Sequence, residues 1–251
     1  MNAQDCIRQA KIDLTAALRA AAQLGLHEGV CNHFSYALPQ HSSPYGSSEA
    51  FLINPQGIHW SAMFPSDIVT VDVNGNKLDG TRDVEPTAFF IHSQAHRAKP
   101  TARCILHTHM PYATALTVLE EGCLAWCSQN SLRYYGRVAY DNEYGGLALD
   151  PEEGARISAK LQNADVLFMA SHGVLLCGET IANAFDDLYY LERAATVQVI
   201  AQSTGGRLRT IADTVARATA AQFGREREQS ALHFAAIKRL LDDTCPGWSE
   251  G

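Results

Sequence analysis

A chain of 251 residues with 46% apolar side chains is long enough to bury one large core, and its net charge of −7 comes without any block of lysines and arginines. That leaves no electrostatic footprint for nucleic acid or an anionic membrane surface, so the expected partner is a small molecule or another subunit. Seven cysteines, an odd number spread along the chain, argue against a disulfide framework and for a reducing compartment; with no basic-then-apolar leader and no apolar run of membrane-spanning length, the expected location is the cytoplasm.

Ile7, Ala10, Leu14, Ala17, Leu18, Ala21 and Leu24 recur at three and four residues, which predicts an amphipathic helix over 3–24 that stops at Gly25. FLIN at 51–54 and DIVTVDVNGNKLDG at 67–80 read as strands, the second folded back at an Asn74-Gly75 turn. Pro86 suits a first helical position and Pro100 forbids continuation, so TAFFIHSQAHRA forms the helix between them. ARCILHTHM reads as a buried strand, Pro111 opens a helix through YATALTVLE, and GRVAY reads as a further strand. Asp150, Pro151, Glu152 and Glu153 start another helix, because carboxylates there face unpaired backbone N–H groups. ADVLFMASHGVLLCG is two short apolar runs broken at Ser171-His172-Gly173, and Thr180 caps a long helix ended by Gly205-Gly206. The remaining stretch is helical and charged, and the Ser-rich HSSPYGSSEA at 41–50 is read as a loop. Strands and helices mingle without a strict βαβ repeat, which predicts an α/β fold with a mixed or antiparallel sheet and helices on both faces. Residues 1–206 are taken as the main unit and 207–251 as a helical C-terminal extension of the same domain.

On a strand, His107 and His109 point to one face roughly 7 Å apart at ~3.3 Å rise per residue, a spacing from which two imidazoles can converge on one ion. His172, at the break between two apolar runs and beside Gly173, is a candidate third ligand; three histidines with an open fourth position is the catalytic zinc arrangement. Glu85, held extended before Pro86, is either a site carboxylate (fourth ligand or general base) or simply favourable negative charge at a helix N-terminus. His92 and His96 are one turn apart without the glutamate of a metalloprotease helix, and are read as a partly exposed helix face. His33 and His59 fall in loops expected near the site.

The successive motifs GVCNHFS (29–35), INPQGIHW (53–60), VEPTAFFIH (84–92), HTHMPYATAL (107–116) and ASHGVLLCG (170–178) resemble those of the class II aldolase/adducin family. The resemblance covers about residues 5–205. It implies a three-layer α/β/α sandwich around a mostly antiparallel sheet, a homotetramer with sites near subunit interfaces, and one divalent metal ion per chain, zinc first, with manganese or iron as alternatives. His107, His109 and His172 fall on the metal-ligand positions and Glu85 on the acid/base position. The implied activity is that of a metal-dependent lyase, an aldolase or decarboxylase working through an enolate or enediolate that the metal stabilises. Alternatives within the family are an iron-dependent oxygenase of an oxo acid, a sugar epimerase and a non-catalytic adducin-like scaffold.

Three loops cradle the phosphate in family members acting on sugar phosphates. Here Asn32 remains, but Gln56 precedes Gly57, and Asp83-Val84 precede Glu85. Asn32, Gln56 and Gly57 are the candidate substrate-binding residues. An aspartate beside a phosphate dianion is repulsive by about 1 kcal/mol or more, which favours a non-phosphorylated hydroxy- or oxo-acid. The family's tyrosine proton donor has no clear counterpart; Tyr134, Tyr135 and Tyr140 are candidates, and Arg133 is a candidate holder of a substrate carboxylate.

Overall fold

The computed structural model describes residues 2–39, 49–161 and 163–251. Helix α1 (Ala3–Gln23) begins at a capping box: the Asn2 side chain accepts from the Asp5 N–H while the Asp5 carboxylate accepts from the Asn2 N–H. It ends before Gly25, whose φ of 68° is the left-handed conformation expected of a helix stop. Of the Ser-rich stretch read as a loop, residues 41–48 lie outside the described residues, and Ala50 already opens a strand.

Eight strands form one sheet: β1 (His33–Ala37), β2 (Ala50–Ile53), β3 (Val69–Asp72), β4 (Lys77–Asp79), β5 (Cys104–Thr108), β6 (Val138–Asp141), β7 (Val166–Met169) and β8 (Gly173–Gly178). Their order is β4-β3-β2-β1-β5-β8-β7-β6, antiparallel throughout except for the parallel pair β6 and β7. The β3–β4 hairpin turns at Asn74-Gly75 as expected, with the Asp72 carboxylate accepting from the Asn74 and Asn76 N–H groups.

Helices α2 (Pro86–Ala98) and α4 (Pro151–Leu161) cover one face, where Ile91, Ala95, Ile157 and Leu161 cluster with Ile105, Leu167 and Leu175. On the other, α1 and α5 (Ile181–Ser203) bury Leu14, Leu18, Leu188 and Leu191 with Phe34, Leu52, Leu106 and Leu176. This is the three-layer arrangement anticipated from the motifs. Each leucine, isoleucine or phenylalanine among these is worth roughly 1.5–3 kcal/mol of burial. Helix α3 (Pro111–Thr117) lies on the α5 side and stops before the end of the apolar run, because the Thr117 carbonyl accepts from Ser171 N–H at 3.0 Å instead of continuing the helix. Helices α6 (Asp213–Arg225) and α7 (Gln229–Thr244) complete the chain, α7 packing on α5 and α1.

Two consequences of this layering matter for the site. The register pairs His33 of β1 with His107 of β5, and Ser35 with Ile105. By strand alternation these four share the face covered by α2. Among the described residues no helix is long and apolar enough to cross a membrane.

Candidate metal centre

His107 lies within β5, His109 just past its end, and His172 in the tight connection between β7 and β8. Ser171 there adopts φ 55°, uncommon for a residue with a side chain, and the His172 N–H donates to the Met169 carbonyl at 3.1 Å. Gly173 follows because nothing larger fits: a Cβ there would stand 2.6 Å from the Thr108 carbonyl oxygen and 2.8 Å from His109 Cδ2. Strand β8 therefore approaches the end of β5 closely enough to bring the three rings together.

One ring nitrogen from each of the three histidines lies within 4.8 Å of the other two. The ring centroids form a nearly equilateral triangle with sides of 4.8, 5.0 and 5.0 Å. His107 Nδ1 sits 3.0 Å from the Val174 carbonyl, which only accepts, so Nδ1 carries the proton and Nε2 keeps its lone pair. His109 Nδ1 is 2.5 Å from the Glu28 carboxylate, and its Nε2 is buried with no hydrogen-bond partner. Burial, then the neighbouring His172, His109 and His33, hold His107 well below its ordinary range; burial and His109 lower His172 to about 4. Both are neutral at pH 7. Neutral imidazoles converging, one with an orphaned buried nitrogen and one oriented by a carboxylate, are a donor set that fits a divalent metal.

Glu85 is both a helix cap and a neighbour of the triad's surroundings. It caps α2, accepting from the Ala88 N–H at 3.2 Å and from the Thr87 hydroxyl, and its carboxylate lies 2.8 Å from His33 Nε2. The His33 ring in turn stacks on His107 at 5.7 Å. Burial pushes the Glu85 carboxyl up, but the contacts with His33, Thr87 and Ala88 outweigh it and bring it down to about 2, so the resting group is a carboxylate.

Asn32 is buried at the same end of the sheet. Its Oδ1 accepts from the N–H of Glu28 at 2.8 Å and of His109 at 3.3 Å, while its Nδ2 is buried and unpartnered. Gln56 and Gly57 are exposed on the adjoining loop, which the Gln56 N–H ties to the Asp83 carbonyl at 2.9 Å. The Asp83 carboxylate is 88% exposed and 3.0 Å from Lys77, so the repulsion expected of it toward a phosphate is largely neutralised.

Two expectations, the partial exposure of His92 and His96 and the loop placement of His33, need correcting. His92 and His96 are buried rather than partly exposed, because α2 lays that face on the sheet. His33 is a strand residue, and His59 lies 3.1 Å from His27 through their Nε2 atoms. Tyr134 is fully buried, its hydroxyl donating to the Asp187 carbonyl at 2.6 Å; Tyr135 bonds Asp213; Tyr140 accepts from the Leu124 N–H. Arg133 is paired with Asp186 at 2.8 Å and lies over the Tyr190 ring. Among the described residues, the tyrosine with a ring contact to the triad is Tyr144, 55% exposed and 6.4 Å from His172. Glu28 and Tyr144, which neighbour the triad, were not singled out from the sequence, and His33 was, though as a loop residue. Only Glu28, in the loop carrying Asn32, left a local signal.

The class II aldolase and adducin N-terminal domain family matches residues 12–199. The chain belongs to this family. It is 34% identical over 248 residues to a Pseudomonas aeruginosa protein whose name places it in aldolase class 2, covering 96% of this chain and 92% of that one. It is 29% identical over 232 residues to a 4-hydroxy-3-prenylphenylpyruvate oxygenase/4-hydroxy-3-prenylbenzoate synthase of Streptomyces roseochromogenus, covering 90% and 81%. The fold superposes on an L-fuculose 1-phosphate aldolase from Glaciozyma antarctica with a TM-score of 0.83 and 27% identity, covering 97% and 94%. Aldolase and oxygenase chemistry thus both occur among relatives of this class II aldolase family chain.

Proposed function

We propose that the protein is a divalent-metal-dependent lyase, an aldolase or decarboxylase, acting on a small hydroxy- or oxo-acid or related carbonyl compound without a phosphate. The observation that supports this most is the triad itself: three histidine nitrogens within 4.8 Å of one another beside an anionic Glu85. His107, His109 and His172 would hold the ion, with zinc the first candidate. When bound, the metal supplies Lewis-acid stabilisation of negative charge developing on a carbonyl oxygen.

The chain's own residues supply the rest. Glu28 fixes the orientation of His109, and Asn32 holds that loop through the Glu28 and His109 N–H groups. Glu85, as a carboxylate, is in the form needed to take a proton from the substrate; in aldol cleavage the C–C bond then breaks, a carbonyl product leaves, and the enediolate is protonated at carbon. Tyr144 replaces the three tyrosines considered from sequence as the candidate proton donor. Gln56 before Gly57 and Asp83-Val84 before Glu85 stand where the sugar-phosphate enzymes of the family carry small hydroxyl residues, which supports a non-phosphorylated ligand.

The test is elemental analysis of the purified protein, followed by NMR of α-proton exchange with D2O using the zinc-loaded protein. Dihydroxyacetone, its phosphate and pyruvate serve as probes. The reading expects about one bound metal per chain and exchange on dihydroxyacetone or pyruvate in preference to the phosphate. A chain that takes up no zinc, manganese or iron contradicts the enzyme reading. Iron bound in preference to zinc, with oxygen consumption on an aromatic oxo acid, favours the oxygenase.

A further inference from the structure

Three buried polar side chains on the α2 side of the sheet have no part in holding a metal. His92 and His96, one turn apart on α2, both reach the Ser35 hydroxyl of β1, His92 through Nδ1 at 2.6 Å and His96 through Nε2 at 2.8 Å. Ser35 and His92 are wholly buried and His96 nearly so. Burial, with His33 and His96 adding to it, holds His92 well below its ordinary range, and burial lowers His96 to about 4. Both rings are neutral at pH 7, and a neutral imidazole has one donor and one acceptor. A hydroxyl between two such rings donates to one and accepts from the other, which fixes a matched pair of tautomers and leaves His92 Nε2 and His96 Nδ1 buried without a partner.

These groups continue a row that begins at the metal centre. Ser35 is two residues beyond His33, on the same face of β1. His92 and His96 follow Glu85 at the spacing of one face of α2. The strand row of His33 and Ser35 therefore meets the helix row of Glu85, His92 and His96. One end is the 2.8 Å approach of His33 and Glu85, and the other is the doubly bonded Ser35. Between them the His33 and His92 rings meet edge to face at 5.8 Å. Apolar side chains flank the row, with Ala88, Ile91 and Ala95 buried on α2 and Phe51 against His96. An apolar contact tolerates sliding of a helix on a sheet. A buried hydroxyl shared by two imidazoles does not, because any slip leaves three polar groups unpaired.

We propose that Ser35, His92 and His96 are positioning residues that hold the N-terminus of α2 in register with β1 and thereby set Glu85 against His33 at the metal centre. The proposal rests on the reading of Glu85 as the group that moves the proton. It assigns a role to two histidines that are otherwise unused.

His92→Leu and His92→Asn separate this from general packing, since leucine fills the space without a hydrogen bond and the asparagine amide stands where Nδ1 does. Both are compared with native protein for zinc content, for D2O exchange on dihydroxyacetone and pyruvate, and by crystal structure. The expected result is native zinc content in both. His92→Leu should lower the saturated exchange rate about 10- to 100-fold with little change in KM, its Glu85 carboxylate displaced from His33, and His92→Asn should restore most of the rate. A His92→Leu variant with native zinc, native rate and Glu85 still beside His33 overturns the proposal. Should zinc-loaded native protein exchange neither probe, the proton role of Glu85 falls, and the crystal structures alone decide positioning: a displaced carboxylate upholds it and an unmoved one overturns it. If His92→Leu fails to fold, Ser35→Ala takes its place with the same readouts.

Discussion

His107, His109 and His172 stand at the ends of β5 and β8 with nitrogens turned toward one another, whereas His92 and His96, a short distance away on α2, spend theirs on the Ser35 hydroxyl. Both groups are buried or partly buried, and burial is the first cause of the lowered pKa at His107, His172, His92 and His96. What separates them is whether the uncommitted nitrogens converge. In the first group the outer nitrogens of His107 and His109 are taken by Val174 and Glu28, leaving the inner ones for a cation. In the second the shared hydroxyl takes one nitrogen of each ring, and the other two, His92 Nε2 and His96 Nδ1, are buried without a partner but belong to no converging set of three donors among the described residues. Convergence of three nitrogens, rather than burial or sequence spacing, marks the candidate ligand set.

The difference can be broken from either side. The largest effect is expected from replacing His107 and His109 together by alanine, which should take metal content from about one equivalent to none by elemental analysis, while His92→Leu leaves it unchanged. Glu85→Gln comes next, keeping the metal but lowering the D2O-exchange rate by about 10²- to 10⁴-fold, the range for loss of a general acid/base. Glu28→Gln should be milder, weakening zinc affinity about 10- to 100-fold in a competition titration, because His109 loses the carboxylate that orients it.

The smallest effect is on stability against pH. His92 and His96 have folded-state pKa values below the ordinary 6.5. As pH falls through 6.5 the unfolded chain takes up protons that the folded chain refuses. Stability from this source is thus complete above 6.5 and lost toward 4, at up to about 1.4 kcal/mol per pH unit for each histidine. Glu85, lowered from 4.5 to about 2, adds a loss only below 4.5. Denaturant titrations between pH 7 and 4 should show the slope, and His92→Leu should flatten it.

Local chemistry made much of this legible before any coordinates. The capped starts at Asp150 and Thr180, the Asn74-Gly75 hairpin, the proline-bounded α2 and the His107–His109 spacing depend on neighbours in sequence, and each is present. What depended on sheet order was not legible. His33 meets His107 only because β1 and β5 are neighbours, and α2 buries His92 and His96 only because it lies over that same pair of strands. The parallel β6–β7 pairing and the burial of Tyr134 follow from the same long-range assembly. Asp83 is a related case: its charge was readable, but its pairing with Lys77 across the β4 connection was not.

The central claim, that the triad rather than any other histidine cluster holds the metal, is met most directly by anomalous diffraction at the zinc edge from crystals grown with one equivalent of zinc. A single strong peak bound by nitrogens of His107, His109 and His172, with His92, His96 and Ser35 unchanged, is the result predicted here. No peak at the triad, or a peak held by the other histidines, would contradict it.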